Sequence, residues 1–255
     1  MNNHFQLRVN LRRACEILYK QGYLSGMDGN VSIRVNRDMI LTTPTGRNKG
    51  WLNEEDLVLC GMDGKSLENG KRPSTEIKMH LEIYSRRSDA QAVVHCHPIF
   101  GTIYAASNKN LNGCYLTESI VAVGSVPKAL LALPGPHQLA ESIAPFIADN
   151  EAILLANHGA ISFGENMEVA VSRMESLEHF AKLSYYLELA NMQNEPSQEI
   201  IDKLQALRPN YGFHQKFTPC QKKDGSSQYS NHLDVDKITE LVLAELKKNK
   251  GKEPV

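Results

Sequence analysis

Ala92-Val93-Val94-His95-Cys96-His97-Pro98 is a β-rich run that a proline brings to a stop. A short apolar run of this kind reads as a buried strand, and in a strand positions i and i+2 share a face. His95 and His97 therefore converge at a strand end, close enough for both imidazoles to reach one metal ion. Cys96 points to the opposite face and reads as a packed thiol. Two satisfied histidines near a strand end would show the same spacing, so the run alone leaves both readings open.

The elements on either side alternate in type. Residues 5 to 20 set Leu7, Leu11, Ala14, Cys15 and Leu18 at helical spacing before Gly22. Val31, Ile33 and Val35 alternate with polar residues, Asn36-Arg37-Asp38 turns and Met39-Ile40-Leu41 returns, which predicts a hairpin. Leu57 to Cys60 reads as a short strand. Pro73-Ser74-Thr75-Glu76 opens a helix with Ile77, Leu81 and Tyr84 on one face, and Ile99 to Ala106 forms another. Strands are also predicted at 113–116, 120–123, 152–156 and 160–163, followed by a long helix from an Asn166 cap to about residue 191. Interleaved strands and helices predict an α/β fold, a sheet covered by helices. The polar stretch 209–232 reads as a loop or tail, and Ile238, Leu241, Val242 and Leu246 mark a last amphipathic helix.

Composition narrows the function classes. Of 255 residues, 42% are hydrophobic and 22% charged, which suits an ordinary globular domain. The 28 Lys and Arg nearly balance the 29 Asp and Glu, so no long-range field gathers a polyanion and no nucleic-acid partner is expected. Apolar runs fall far short of the ~20 residues a spanning helix needs, so no membrane segment is expected. The 5 cysteines include no CxxC pair and no signal-peptide pattern precedes them, which points to a cytoplasmic setting.

Three further stretches carry chemistry. The run Ala152 to Ala156 delivers Asn157-His158-Gly159 at its end and so offers a third imidazole. A His₃ set leaves a coordination position open, as catalytic zinc sites do. Ser74 and Thr75 at a helix start combine hydroxyls with unpaired backbone N–H groups, which suits a phosphate and places Glu76 beside whatever that phosphate anchors. Thr43-Pro44-Thr45-Gly46 offers the same mix, and Asn30 in Gly29-Asn30-Val31-Ser32 is a weaker candidate.

Taken in order, Gly29-Asn30-Val31-Ser32-Ile33-Arg34, Thr43-Pro44-Thr45-Gly46, Pro73-Ser74-Thr75-Glu76, Val93-Val94-His95-Cys96-His97 and Asn157-His158-Gly159 closely resemble the class II aldolase/adducin family, above all its zinc-dependent L-fuculose-1-phosphate aldolase branch. The resemblance spans about residues 5 to 190. It implies a three-layer α/β/α sandwich around a mostly antiparallel, mixed sheet, with residues 1–208 as the family domain and 209–255 as its polar loop and C-terminal helix extension. It further implies a homotetramer with active sites between subunits.

By the same resemblance, His95, His97 and His158 are zinc ligands, another divalent metal being possible. Glu76 ligates the resting metal and then exchanges protons with the substrate. Asn30, Thr45, Gly46, Ser74 and Thr75 form the phosphate cradle, Thr75 standing where Pro-Ser-Ser-Glu is more usual. Tyr115 corresponds to a proton donor that reaches in from a neighbouring subunit, and the family's C-terminal aromatic falls on Tyr211 or Tyr229. The implied reaction cleaves a ketose 1-phosphate to dihydroxyacetone phosphate and an aldehyde through a zinc-stabilised enediolate. Three alternatives stand beside it. Pentulose-phosphate 4-epimerases typically carry Asp at the Glu76 position. Sugar-acid phosphate decarboxylases carry a lysine near the motif with no counterpart here. Adducin-like scaffolds have no reason to keep four convergent ligands.

Overall fold

In the computed structural model, residues 4–132 and 137–211 are described. The chain divides into Met1–Lys222 and Lys223–Val255. The second unit, with the helix expected at 238–246 and Tyr229, lies outside the described residues.

Seven strands form one mixed sheet: β1 Asn30–Arg34, β2 Met39–Thr42, β3 Val58–Gly61, β4 Ala92–Cys96, β5 Lys128–Ala129, β6 Ala152–Leu155 and β7 Gly159–Gly164. Their spatial order is β3-β2-β1-β4-β7-β6-β5. Every neighbouring pair is antiparallel except β5 and β6. The strands at the centre are buried along their whole length because helices cover both faces.

One face packs against α1 (Phe5–Lys20), α3 (Ile99–Ala106) and α5 (Met167–Ala190), which bury Leu11, Leu18, Tyr104, Met174 and Leu177 with Val94 and Cys96 of β4. The other packs against α2 (Ile77–Arg86) and α4 (Gln138–Ile143), which bury Met79, Ile83 and Ile143 with Val93. The sheet covered by helices that the interleaved pattern predicts is therefore present, in the α/β/α layering that the family resemblance implies. A last helix, α6 (Gln198–Ala206), docks Ile201 on Ile120 and Cys114.

Local chemistry accounts for the ends of the long helix. The Asn166 side chain accepts from Val169 N at 2.9 Å, and Asn191 closes α5 at φ 53. Glu178 on α5 accepts from Phe100 N and Gly101 N at 3.0 and 2.7 Å, capping α3 across the layer. That contact seats the segment that leaves the sheet directly after His97.

Two strand expectations are corrected. Residues 113–116 have no regular structure, and Ser119–Val123 forms a π-helical turn. A short apolar run does not distinguish strand from helix; here Ile120 gains its burial from α6 rather than from a sheet neighbour. Five elements carried no periodic signal strong enough to read: the two-residue β5, α4, α6 and the 3-10 turns Lys49–Trp51 and Glu54–Asp56. The cysteines also differ from a wholly reduced set: Cys15, Cys60 and Cys96 are free and buried, whereas Cys114 is disulfide-bonded. Among the described residues no helix is long and apolar enough to cross a membrane.

Candidate metal centre and anion cleft

Strand register builds the centre. Asn30 of β1 pairs directly with His95 of β4, and His95 in turn pairs with Ile161 of β7. His97 follows one pleat beyond His95. The tight turn from β6 to β7 presents His158, with Asn157 in the left-handed region at φ 56. Gly159 makes this approach possible, since a Cβ there would lie 2.5 Å from both the Cys96 carbonyl oxygen and His97 Cδ2.

The three rings form a triangle with centroids 4.7 to 5.0 Å apart, and one ligand nitrogen from each lies within 4.8 Å of the others. His95 Nδ1 donates to the Ala160 carbonyl at 2.9 Å, which turns the Nε2 lone pair toward the centre. His97 Nε2 stands 3.3 Å from His95 Nε2. Glu76 completes the arrangement, with Oε2 3.4 Å from His95 Nε2 and Oε1 3.3 Å from His158 Nε2. Ligand bonds of about 2.0–2.1 Å in a tetrahedron give ligand–ligand edges of about 3.3 Å. The donor set therefore fits a small divalent cation.

Electrostatics favour the ligand form. Burial, with His158 and His97 beside it, pushes His95 well below the usual imidazole range, and burial with His158 also lowers His97. Both rings stay neutral with lone pairs available. Cys96 on the opposite face is completely buried, and burial raises its thiol well above the ordinary value, as a packing thiol requires.

The hydroxyl-lined side of the site is assembled by a bridge between Pro44 and Pro73. Thr45 N donates to Arg72 O at 3.1 Å and Ser74 N to Thr43 O at 3.3 Å, so two loops distant in sequence run side by side. No side chain caps α2. The resulting cleft, of about 200 Å³, is lined by Asn30, Thr45, Gly46, Ser74, Thr75, Glu76, His97 and His158. All the expected phosphate and metal residues except the buried His95 thus border one space, and His95 lies just beneath it. A larger cavity of about 370 Å³, near Glu151 and Arg173, contains none of them.

Tyr115 stands apart within the chain. It is half-buried beside Glu188 and Glu195, and burial together with those carboxylates pushes its phenol up to about 12. Two cleft residues escaped the sequence reading. Lys49 is 4% exposed and donates through Nζ to the Met27 carbonyl. Burial lowers its pKa while Asp28 and Glu76 oppose the shift. Asp28 Oδ2 lies 3.7 Å from His97 Nδ1. Neither belongs to a recognisable spacing; both reach the cleft through loop geometry.

Residues 9–185 match the family model for the class II aldolase and adducin N-terminal domain. The chain is 34% identical to the 3-oxo-tetronate 4-phosphate decarboxylase of Escherichia coli K12 over 71% of its own length and 87% of that protein. It is 33% identical to an L-fuculose phosphate aldolase of Methanococcus maripaludis C5, covering 70% and 95%. Among solved structures, an L-fuculose 1-phosphate aldolase superposes with a TM-score of 0.72 at 26% identity, over 83% of this chain and 100% of that one.

Proposed function

Because this chain belongs to the class II aldolase and adducin family, we propose that it is a divalent-metal-dependent aldolase. In this reading it cleaves a ketose 1-phosphate, of the L-fuculose 1-phosphate type, into dihydroxyacetone phosphate and an aldehyde. The observation that carries the reading is the Glu76 carboxylate held within 3.4 Å of two imidazoles at the edge of a hydroxyl-lined cleft.

His95, His97 and His158 would hold the ion, zinc in this reading, with Glu76 as the exchangeable fourth group. When bound, the cation supplies Lewis-acid polarisation of the substrate carbonyl. Asn30, Thr45, Gly46, Ser74 and Thr75 bind the phosphate through an amide, hydroxyls and backbone N–H groups. Anchoring the phosphate holds the adjoining carbons against Glu76. During cleavage, the hydroxyl proton on the carbon that becomes the aldehyde leaves by way of Tyr115, contributed by a neighbouring subunit, or of water. The electron pair of the broken carbon–carbon bond stays on the phosphate-bearing fragment, and Glu76 delivers a proton to that carbon.

A homotetramer with its sites between subunits belongs to this reading; the exposed Leu130 and Leu131, at 82% and 68%, favour a subunit contact nearby. So does a cytoplasmic setting, which the three free thiols favour and the disulfide at Cys114 opposes. A second reading, decarboxylation of a sugar-acid phosphate, draws support from the buried Lys49 ammonium, which would suit a substrate carboxylate. The deciding experiment offers the metal-loaded protein L-fuculose 1-phosphate and, separately, 3-oxo-tetronate 4-phosphate. Dihydroxyacetone phosphate from the first supports the aldolase; carbon dioxide from the second alone replaces it with the decarboxylase.

A further inference from the structure

Behind Glu76 a line of side chains alternates between β1 and α2. Asn30 Nδ2 donates to Glu76 Oε2 at 2.7 Å. Asn30 Oδ1 meets His80 Nε2, whose Nδ1 lies 2.7 Å from Ser32 Oγ, and Ser32 Oγ lies 2.8 Å from the Tyr84 hydroxyl. Asn30 and Ser32 share a face of β1 at i, i+2, whereas His80 and Tyr84 share a face of α2 at i, i+4, and Glu76 stands four residues before His80 at the N-cap position. Asn30, Ser32, His80 and Tyr84 are all buried, with Ser32 and His80 wholly so.

Donor and acceptor chemistry gives this line one direction. A carboxylate only accepts, so Asn30 must turn its NH₂ toward Glu76 and its carbonyl toward His80. His80 must then carry its proton on Nε2, leaving Nδ1 to accept from Ser32, which accepts from Tyr84 in turn. Each donor is used once along the line. Burial depresses His80 to about 3, so the ring is neutral and the tautomer holds across ordinary pH. Asn30 keeps a second amide hydrogen, and the residue borders the same cleft as Ser74, Thr75 and Thr45.

We infer that His80 is a positioning residue: it locks the Asn30 amide so that one N–H holds Glu76 and the other is offered to the substrate's phosphate. The acid and the anion cradle are thereby set by a single side chain. Without His80, the Asn30 amide is free to rotate by half a turn, which sets its carbonyl oxygen against the Glu76 carboxylate and withdraws a donor from the cleft. This rests on the phosphate-binding and proton-transfer roles proposed above.

The test compares His80→Phe, which keeps the ring volume without a hydrogen bond, with His80→Gln, which restores a donor and an acceptor. Two readouts use the metal-loaded protein: titration with inorganic phosphate, and exchange of a carbon-bound hydrogen of dihydroxyacetone phosphate with D₂O. In the exchange, Glu76 takes a proton from carbon and returns a deuteron. The Phe variant is expected to bind phosphate about tenfold more weakly and to exchange at least about tenfold more slowly, with Gln recovering most of both. A folded Phe variant that matches the parent overturns the inference, as does a Gln variant no better than Phe. If His80→Phe fails to fold, Ser32→Ala takes its place, with a smaller loss of the same two properties expected and parental behaviour overturning the inference. A parent that binds phosphate without exchanging defeats the aldolase reading and leaves the phosphate titration to judge His80; a parent that does neither defeats both.

Discussion

Glu76 and His158 meet at 3.3 Å, Oε1 to Nε2, although one arrives at the start of a helix and the other in the turn of a hairpin on the far side of β4. Only the sheet order brings them together, because β4 separates the β1 edge of the site from β7. The contact sets a carboxylate beside a ring whose neighbours already share a centre, and the consequences are measurable.

Metal content is the first. Protein purified without chelator is expected to carry close to one divalent ion per chain by elemental analysis. His95→Ala is expected to lose it, since His95 is the wholly buried member with its ring oriented by the Ala160 carbonyl. An alanine variant that keeps a full ion would remove His95 from the ligand set.

Glu76→Gln preserves shape while removing the carboxylate that moves the proton in the proposed reaction. Turnover should fall by about 10²–10⁴, the usual span for a positioned acid or base, while inorganic phosphate still binds. Steady-state rates alongside phosphate titration separate the two effects; unimpaired turnover would assign the proton to another residue.

Gly159→Ala should lower both stability and metal affinity. The new Cβ would fall 2.5 Å from a carbonyl oxygen of β4 and from the His97 ring, so either strand or ring must shift. A loss of about 1–3 kcal/mol is expected from overpacking of this size, read by denaturant midpoint, with an alanine variant of parental stability and metal affinity excluding the close approach.

Acid stability reports on His80. The unfolded chain takes up a proton near the ordinary value of 6.5, but the folded ring resists until about 3. Between those values the unfolded state holds more protons, so His80 subtracts stability as pH falls, by up to about 1.4 kcal/mol per pH unit. Urea midpoints of the apo protein from pH 7 to pH 4 should decline less steeply in His80→Gln; identical slopes would show that the ring titrates normally.

Much of the fold was legible because burial imposes periods. Leu11, Ala14, Cys15 and Leu18 are all buried on α1, and the Asn166 cap opens α5 where it was expected. His95 and His97 were readable because a strand imposes a two-residue repeat and Pro98 ends it. What escaped lacks a repeat of its own. Ile120 is apolar in a way that serves strand and helix alike, and Lys49 enters the cleft from a 3-10 turn. The line through Asn30, Ser32, His80 and Tyr84 has both periods, but each half is unremarkable until β1 and α2 are known to pack together.

The Pro44–Pro73 bridge pins the two ends of the excursion that carries β3 and the turns around Lys49 and Asp56. Because main-chain hydrogen bonds tie the two loops to each other beside that bridge, the spacing between Thr45 and Ser74 is held by backbone and does not depend on the side chains the two residues carry.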